Sequence, residues 1–409
     1  MQQVRLLFLN VGHLADHLFM LIFAKAAFSA GLAFGLAADA AYTEMIPYGV
    51  PSMVLFGACA PIAAHLADKW NRNGMITVFF IGIGLVSIAT SYATSPLQIG
   101  IGLAAIGVFA AIYHPVGIAM VIQGGGNVGW RLGANGVWGN MGVAAAPLIT
   151  GFILAEYDWR LAFAVPGIIS ILIGLGFACF VHSGSAVPPQ ATAQEKALVG
   201  FAPGWRRALI AIALLTAAGG FVFGAMTFII PRMFEVSMPS VSTDVAITGT
   251  LAALVFAVAG FSQLFVGRII DLHRIKPVLV TVALGQPILI GLMALHTDYA
   301  LFASTFLAVA FVFGQIPITD VILSHYVPDA WRAKALSVKF LLNLVLGALA
   351  LMTVRYILAS LGGFEMVMMM LAAAACLIVF AALLLPSTSS ADCFGTGNNH
   401  ELGRGVNTN

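Results

Sequence analysis

Apolar residues fill this chain in runs of about 20, and short polar or charged segments separate one run from the next. A run of that length crosses the roughly 30 Å of hydrocarbon in a bilayer as a helix that rises about 1.5 Å per residue. Apolar and polar positions do not alternate within the runs, which excludes a membrane β-barrel. The pattern predicts an all-α membrane protein with twelve transmembrane helices, at 5–34, 45–67, 75–94, 97–122, 132–155, 160–181, 206–231, 245–270, 277–295, 299–326, 334–359 and 364–386.

The composition is that of a membrane protein, and it argues against nucleic-acid binding and against disulfide or zinc sites. Hydrophobic residues make up 61% of the chain and charged residues 8%, against about 25% charged in a soluble domain. A net charge of +2 without a basic patch excludes nucleic acid as a partner. The four cysteines, at 59, 179, 376 and 393, show neither a disulfide framework nor zinc spacing, and we expect no cofactor. The first run lacks a small-residue cleavage site, so we expect it to stay in the mature protein.

The polar segments divide the chain into two halves of six spans. The longest internal one, rich in Pro, Ala and Gln, predicts an N-terminal bundle at 1–182, a cytoplasmic linker at 183–205 and a C-terminal bundle at 206–386. Residues 387–409 are rich in Ser, Thr, Asn and Gly, which is typical of a disordered tail.

Lys and Arg residues are concentrated on one side of the predicted spans. With the N-terminus in the cytoplasm, thirteen of the eighteen lie in cytoplasmic segments, and only Arg160, Arg232 and Arg355 lie outside. Lys25 and Lys339 fall within spans. Because positive residues favour the cytoplasmic side, this distribution predicts both termini in the cytoplasm, in a bacterial inner membrane.

The two halves repeat each other. The segment AHLADKWNRN at Ala64–Asn73 corresponds to GRIIDLHRIK at Gly267–Lys276. Three pairs of residues share the offset of 203 positions: Asp68 with Asp271, Asn140 with Asn343, and Arg131 with Lys334. Two such halves around a site near the membrane midplane are typical of transporters that alternate access by rocking.

These segments resemble the major facilitator superfamily over nearly the whole chain. Its loop signature, G-x-L-x-D-R-x-G-R-R, is matched by one set of residues in each half, with Ala64 and Asn71 in place of glycines. The matching residues include Leu66, Asp68, Lys69 and Arg72 in the first half and Gly267, Asp271 and Arg274 in the second. The resemblance implies a monomer with two six-helix bundles around a central cavity lined by spans 1, 4, 7 and 10. It also implies that these loops gate the cytoplasmic side, with Asp68 pairing with a neighbouring helix end when that side is closed.

Two further segments narrow the resemblance. Span 5 carries a glycine-proline pattern similar to that of the family's proton-driven exporters, at Gly139, Gly142, Ala146, Pro147 and Gly151. Tyr113-His114-Pro115 in span 4 and HLADHLFM in span 1 are similar to exporters of the fosmidomycin-resistance type. This resemblance implies a drug–proton antiporter.

Span 1 carries an unusual polar face. His13, Asp16 and His17 are spaced by three and four residues, so they share one side of a helix, with Asn10 one turn before them. A charge near the membrane centre costs at least a few kcal/mol, so this face should look into the protein or a water-filled cavity. Histidine changes charge near neutral pH, which predicts a proton-coupling site; the alternative is a polar patch that only holds the bundle together. Lys25, near the end of span 1, is expected to extend to the outer interface.

Other candidates for the cavity lie on four more spans. They are Tyr113 and His114 in span 4, Asn140 in span 5, Gln315, Thr319 and Asp320 in span 10, and Lys339 and Asn343 in span 11. Asp320 and Lys339 lie at similar depth with opposite charge and are predicted to pair. Span 7 has only Thr216 and several glycines at the positions that correspond to the polar face of span 1, so the proton chemistry is expected in the first half.

Proton-coupled export of a small organic molecule is the favoured function. No G-x-x-x-x-G-K-[ST] loop is present for ATP, and no constellation of residues predicts an enzyme or a sensor. One alternative is transport of a divalent metal, iron first, or of a metal chelate, with His13, Asp16 and His17 as ligands and His114 as a further donor. Another is proton-coupled import of a small anion, attracted by protonated histidines and Lys339.

Overall fold

The computed structural model describes residues 2–123, 128–185 and 200–386. Most of the predicted linker, 186–199, and the predicted tail, 387–409, lie outside the described residues. The α-helices are Gln2–Ala33, Ala41–Met45, Val50–Lys69, Arg72–Ser91, Pro96–Ala110, Ile118–Gln123, Val128–Glu156, Trp159–Phe180, Trp205–Ser237, Val245–Leu272, Ile275–Leu295, Asp298–Tyr326, Asp329–Ser360 and Phe364–Leu384.

In the described part of the chain, twelve helical segments are long and apolar enough to cross a membrane. The prediction of an all-helical protein with twelve spans is therefore confirmed, and the spans keep their numbers below. Span 2 starts at Ala41 rather than at 45, and a 3₁₀ turn at Ile46–Gly49 interrupts it. Span 4 contains a π-helical turn at Tyr113–Gly117. Pro47 lies in the first of these turns and Pro115 in the second, where the missing N–H disturbs the helical hydrogen-bond ladder. A further π turn without proline, at Val181–Ser185, ends span 6.

Most helix packing occurs within each set of six spans. In the first set, span 3 packs on span 6 and span 1 on span 5; in the second, span 9 packs on span 12 and span 7 on span 11. Two large contacts join the sets, span 5 against span 8 and span 2 against span 11. Spans 1–6 are called the first half below and spans 7–12 the second half.

Glycines allow the backbones of the central spans to approach closely. A Cβ on Gly142 of span 5 would lie 2.2 Å from the carbonyl oxygen of Leu14 in span 1. A Cβ on Gly249 of span 8 would lie 2.5 Å from the carbonyl oxygen of Pro147 in span 5. The small residues of span 5 thus position span 1 on one side and the second half on the other.

Candidate functional site

The polar face of span 1 meets span 4 and forms a cluster of three imidazoles, called the histidine cluster here: His13, His17 and His114. The ring centroid of His13 lies 5.1 Å from that of His17 and 5.2 Å from that of His114. The ring centroids of His17 and His114 are 5.5 Å apart. Asp16, whose side chain is fully buried, places Oδ2 3.3 Å from Nε2 of His114. Four candidates from two separate spans are therefore in one place.

The π-helical turn of span 4 presents two neighbouring side chains to span 1. The ring of Tyr113 stacks on His13 with centroids 5.0 Å apart, and its hydroxyl donates to the carbonyl oxygen of Leu9 over 2.6 Å. His114, the next residue, contacts Asp16. An inserted π turn rotates the residues that follow it, and such turns are frequent at functional sites.

Asn135 of span 5 holds this arrangement together, and the sequence reasoning missed it. Its side-chain amide donates to Oδ1 of Asn10 over 3.0 Å and to the hydroxyl of Tyr113 over 2.9 Å. Its backbone carbonyl lies 2.8 Å from Nδ1 of His13. Asn135 is 1% exposed. The signal in the sequence was an amide side chain inside an apolar span, five residues before Asn140.

Asp16 has no hydrogen-bond partner at either side-chain oxygen within the described residues. Its 3.3 Å contact with His114 has the distance of an ion pair but lacks the alignment of a hydrogen bond. An isolated carboxylate in an apolar interior is strongly unfavourable, so this group requires either a proton or a cation beside it. The arrangement allows a proton or a metal ion to change the charge of one compact site.

Two phenylalanines cover His114, one from each half. The centroid of His114 lies 5.5 Å from Phe56 in span 2 and 5.1 Å from Phe340 in span 11. The two phenylalanine rings also contact each other, with centroids 5.5 Å apart. Access to the histidine cluster on this side therefore depends on where span 11 of the second half lies.

The candidates in spans 10 and 11 form a separate polar group. Lys339 makes an ion pair with Asp320 and donates to the hydroxyl of Thr319 over 2.9 Å. The Asp320 side chain is 50% exposed, against 17% for Lys339. The opposite charges at similar depth thus pair, as the sequence indicated. Gln315 accepts a 2.6 Å hydrogen bond from Gln286, within the same half.

The two repeated asparagines have different surroundings. Asn140 accepts a 3.3 Å hydrogen bond from Gln263 of span 8. A Cβ added to Gly260 of the same span would lie 2.7 Å from the Cβ of Asn140. It therefore lies at the contact between the halves. Asn343 packs against Gly220 of span 7, where a Cβ would come within 2.6 Å of the Asn343 carbonyl oxygen. Neither asparagine has a described hydrogen bond to the histidine cluster.

The expectation that Lys25 extends to the outer interface is wrong. Lys25 is 3% exposed, makes an ion pair with Glu235 of span 7 and donates to the hydroxyl of Thr248 in span 8 over 3.1 Å. Glu235 also accepts a 2.6 Å hydrogen bond from Arg232. The reason is that the end of span 1 packs against the second half rather than against lipid. These four residues are called the inter-half ion cluster. Its only signal in the sequence is an acidic residue at the end of span 7.

The loop-signature residues lie at the opposite end of the helices from this cluster. Asp68 contacts Arg72 of its own loop over 3.2 Å, and its side chain is 68% exposed. Lys69 and Asp271 are exposed, as is Arg274, and Gly267 has open space around it. Among the described residues, none of them makes an ion pair between the halves. Asn71, which replaces a family glycine, accepts a hydrogen bond from the Gly74 backbone and caps span 3.

Comparisons with known proteins agree with this architecture. Residues 18–243 match the family model described as Major Facilitator Superfamily. Puromycin resistance protein pur8 of Streptomyces alboniger is 33% identical over 124 residues, which are 30% of this chain and 25% of that protein. The match thus spans about a quarter of that relative's length.

Solved transporters share the fold over nearly the whole chain. A bacterial homolog of the human lysosomal transporter Spinster, inward-facing and unoccupied, is 16% identical with a TM-score of 0.73, and the match covers 94% of this chain and 97% of that one. A D-xylose-proton symporter is 13% identical with a TM-score of 0.74, over 93% and 96%. The family model matches more than half of the chain and the twelve-span fold agrees with it, so this multi-pass membrane protein belongs to the Major Facilitator Superfamily of transporters.

Proposed function

We propose that this protein is a proton-coupled secondary transporter that exports a small organic molecule by alternating access. The observation that carries the proposal is Asp16, a fully buried carboxyl group that has no hydrogen bond to any described residue and lies 3.3 Å from His114 in a site that both halves enclose. Buried Asp and His side chains inside a membrane bundle are typical of proton relays. Coupling requires that protonation and cargo binding affect the same equilibrium between states.

Contacts between the halves give the proton site a route to that equilibrium. Phe340 of the second half covers His114 of the first, so a change of charge at His114 or Asp16 acts directly on a contact that rocking must alter. At one end of the bundle, the inter-half ion cluster joins spans 1, 7 and 8. The loop-signature residues at the other end have no ion pair between the halves among the described residues, which supports a state closed at one end only.

Relatives support an organic cargo and proton drive. The relative that matches over part of its length is a puromycin resistance protein, and one structure of the same fold is a proton symporter. The proposal places the protein in a bacterial inner membrane with both termini in the cytoplasm and the inter-half ion cluster at the outer end, and it takes the direction of export from the puromycin resistance relative. A monomer suffices, because each of the two polar groups is built within one chain.

Proteoliposomes provide the test. The purified protein is reconstituted with a pH-sensitive dye inside, and puromycin, followed by a panel of organic amines, is added under an imposed pH gradient. We expect at least one compound to cause proton movement in the wild type, and Asp16→Asn to abolish that movement. Asp158→Asn, which removes a carboxylate that is 53% exposed at the start of span 6, outside the candidate cavity, is the matched control. Cargo movement that is independent of the gradient, or equal in Asp16→Asn, would contradict the proposal.

A further inference from the structure

We propose that His13, His17 and His114 form a binding site for one divalent transition-metal ion of the Zn²⁺ class. This goes beyond the proposed function, because the site would bind the ion at equilibrium without any gradient or cargo. The sequence suggested His13, Asp16 and His17 as donors; the structure instead brings together three imidazoles from two spans, and Asp16 stands beside them.

The separation of the donor atoms fits a site that closes on an ion. One nitrogen of each imidazole lies within 4.8 Å of the other two. Around a tetrahedral Zn²⁺ with Zn–N bonds of about 2.1 Å, two nitrogens are about 3.4 Å apart. The largest separation would therefore shorten by at most about 1.4 Å, which rotations of the partly exposed His17 and His114 side chains can supply while His13 stays buried.

Two of the three histidines already have the neighbours that orient metal ligands. In proteins, a metal-bound imidazole commonly gives its second N–H to a carbonyl or carboxylate oxygen, which fixes its tautomer. Nδ1 of His13 lies 2.8 Å from the carbonyl oxygen of Asn135, which leaves Nε2 as the donor to a metal. Nε2 of His114 lies 3.3 Å from Oδ2 of Asp16 without the alignment of a hydrogen bond; a small ring rotation would complete that bond and leave Nδ1 for the metal.

Charge balance also favours an ion at this place. Both oxygens of Asp16 and Nε2 of His114 are buried, and within the described parts of the chain they have no hydrogen bond. A divalent cation held by the three imidazoles would compensate this carboxylate at close range, where an isolated charge is costly. Three protein donors leave a fourth position of a tetrahedral ion for water or for a donor atom of a chelating molecule. Imidazole donors suit Zn²⁺, Fe²⁺, Ni²⁺ and Cu²⁺ rather than Mg²⁺ or Ca²⁺.

Cobalt titration of the full-length protein in detergent tests the site. Co²⁺ is added at fixed pH, and its visible absorption reports the number bound and distinguishes tetrahedral from octahedral coordination. We expect one Co²⁺ per chain with a tetrahedral spectrum, displaced by Zn²⁺. His17→Gln and His114→Gln should each weaken binding at least tenfold. His182→Gln, which removes an exposed histidine at the end of span 6, is the matched control and should change nothing.

A second measurement keeps the test decisive if a histidine variant misfolds. X-ray absorption of the Zn²⁺-loaded wild type should show three imidazole nitrogens around the metal. An octahedral spectrum, fewer than three imidazoles around the metal, or affinity equal to the wild type in folded His17→Gln and His114→Gln would overturn the proposal. These outcomes are separate from the proteoliposome result, since metal binding is measured without a proton gradient and proton-driven export without added metal.

Discussion

Replacing Glu235 by Gln should open the end of the bundle that the inter-half ion cluster closes. Glu235 contacts two cations, Lys25 from the first half and Arg232 from its own helix. Arg232 also lies 3.5 Å over the ring of Phe28 in span 1. Glu235→Gln keeps the size of the side chain and removes the negative charge, so two cations remain at a buried contact between the halves.

The size of the effect follows from burial. Removing one partner of a buried ion pair costs about 3–5 kcal/mol, because the remaining charge is left uncompensated. The side chains of Glu235 and Arg232 are 11% and 18% exposed, so some water screens them and the lower limit applies. A loss of about 3 kcal/mol in the closed state alone shifts the ratio of closed to open molecules by about a hundredfold.

Distances between two spin labels measure that ratio. Tyr92 at the end of span 3 and Leu295 at the end of span 9 are each 76% exposed, and they occupy corresponding positions in the two halves at the end that the ion cluster closes. Both are changed to Cys in a chain whose four native cysteines are replaced. Double electron–electron resonance should give one dominant distance between the two labels in the parent protein and a longer one in Glu235→Gln.

A double variant separates the charge effect from a packing defect. Lys25→Met together with Glu235→Gln removes one cation with the carboxylate, so most of the closed population should return. The reasoning is refuted if folded Glu235→Gln keeps the parent's distance distribution, or if the double variant is as open as the single one.

Three further predictions concern stability and are measured by thermal unfolding of the purified variants. Gly142→Ala should lower the free energy of unfolding by about 1–3 kcal/mol, because the new methyl group forces span 1 away from span 5. Gly136→Ala, which has open space around it, should leave that free energy unchanged or raise it by up to about 1 kcal/mol. Equal melting temperatures of the two variants would contradict this. Asn135→Ala should lower the free energy of unfolding by about 1–3 kcal/mol, because it removes two side-chain hydrogen bonds. Asn140→Ala removes one hydrogen bond of 3.3 Å and should cost less. The reverse order of stability would argue against a bracing role for Asn135. Asp320→Asn should lose less than about 1 kcal/mol because this carboxylate is 50% exposed, and a larger loss would show that its pair with lysine is buried in solution.

Sequence patterns were sufficient wherever the bilayer itself imposes the constraint. Each span must satisfy its own backbone and match the hydrocarbon thickness, so length and hydropathy predict twelve helices with ends within six residues of those observed. The polar face of span 1 was visible for the same reason, since a charged group there is tolerated only in a protected place. Lys25 followed the same rule in the prediction, but wrongly, because hydropathy does not indicate whether a helix end faces lipid or another helix.

The all-helical membrane fold, the internal sequence repeat and the protonatable residues of span 1 could all be recognised from the amino-acid sequence. Which of these protonatable groups lie in contact depends on the packing of the helices. His114 joins His13 and His17 because a π turn in span 4 faces span 1, Asn135 braces them from span 5, and Phe340 covers them from the other half. These contacts depend on the rotation and separation of helices that are far apart in sequence, and local hydrophobic periodicity does not predict that packing.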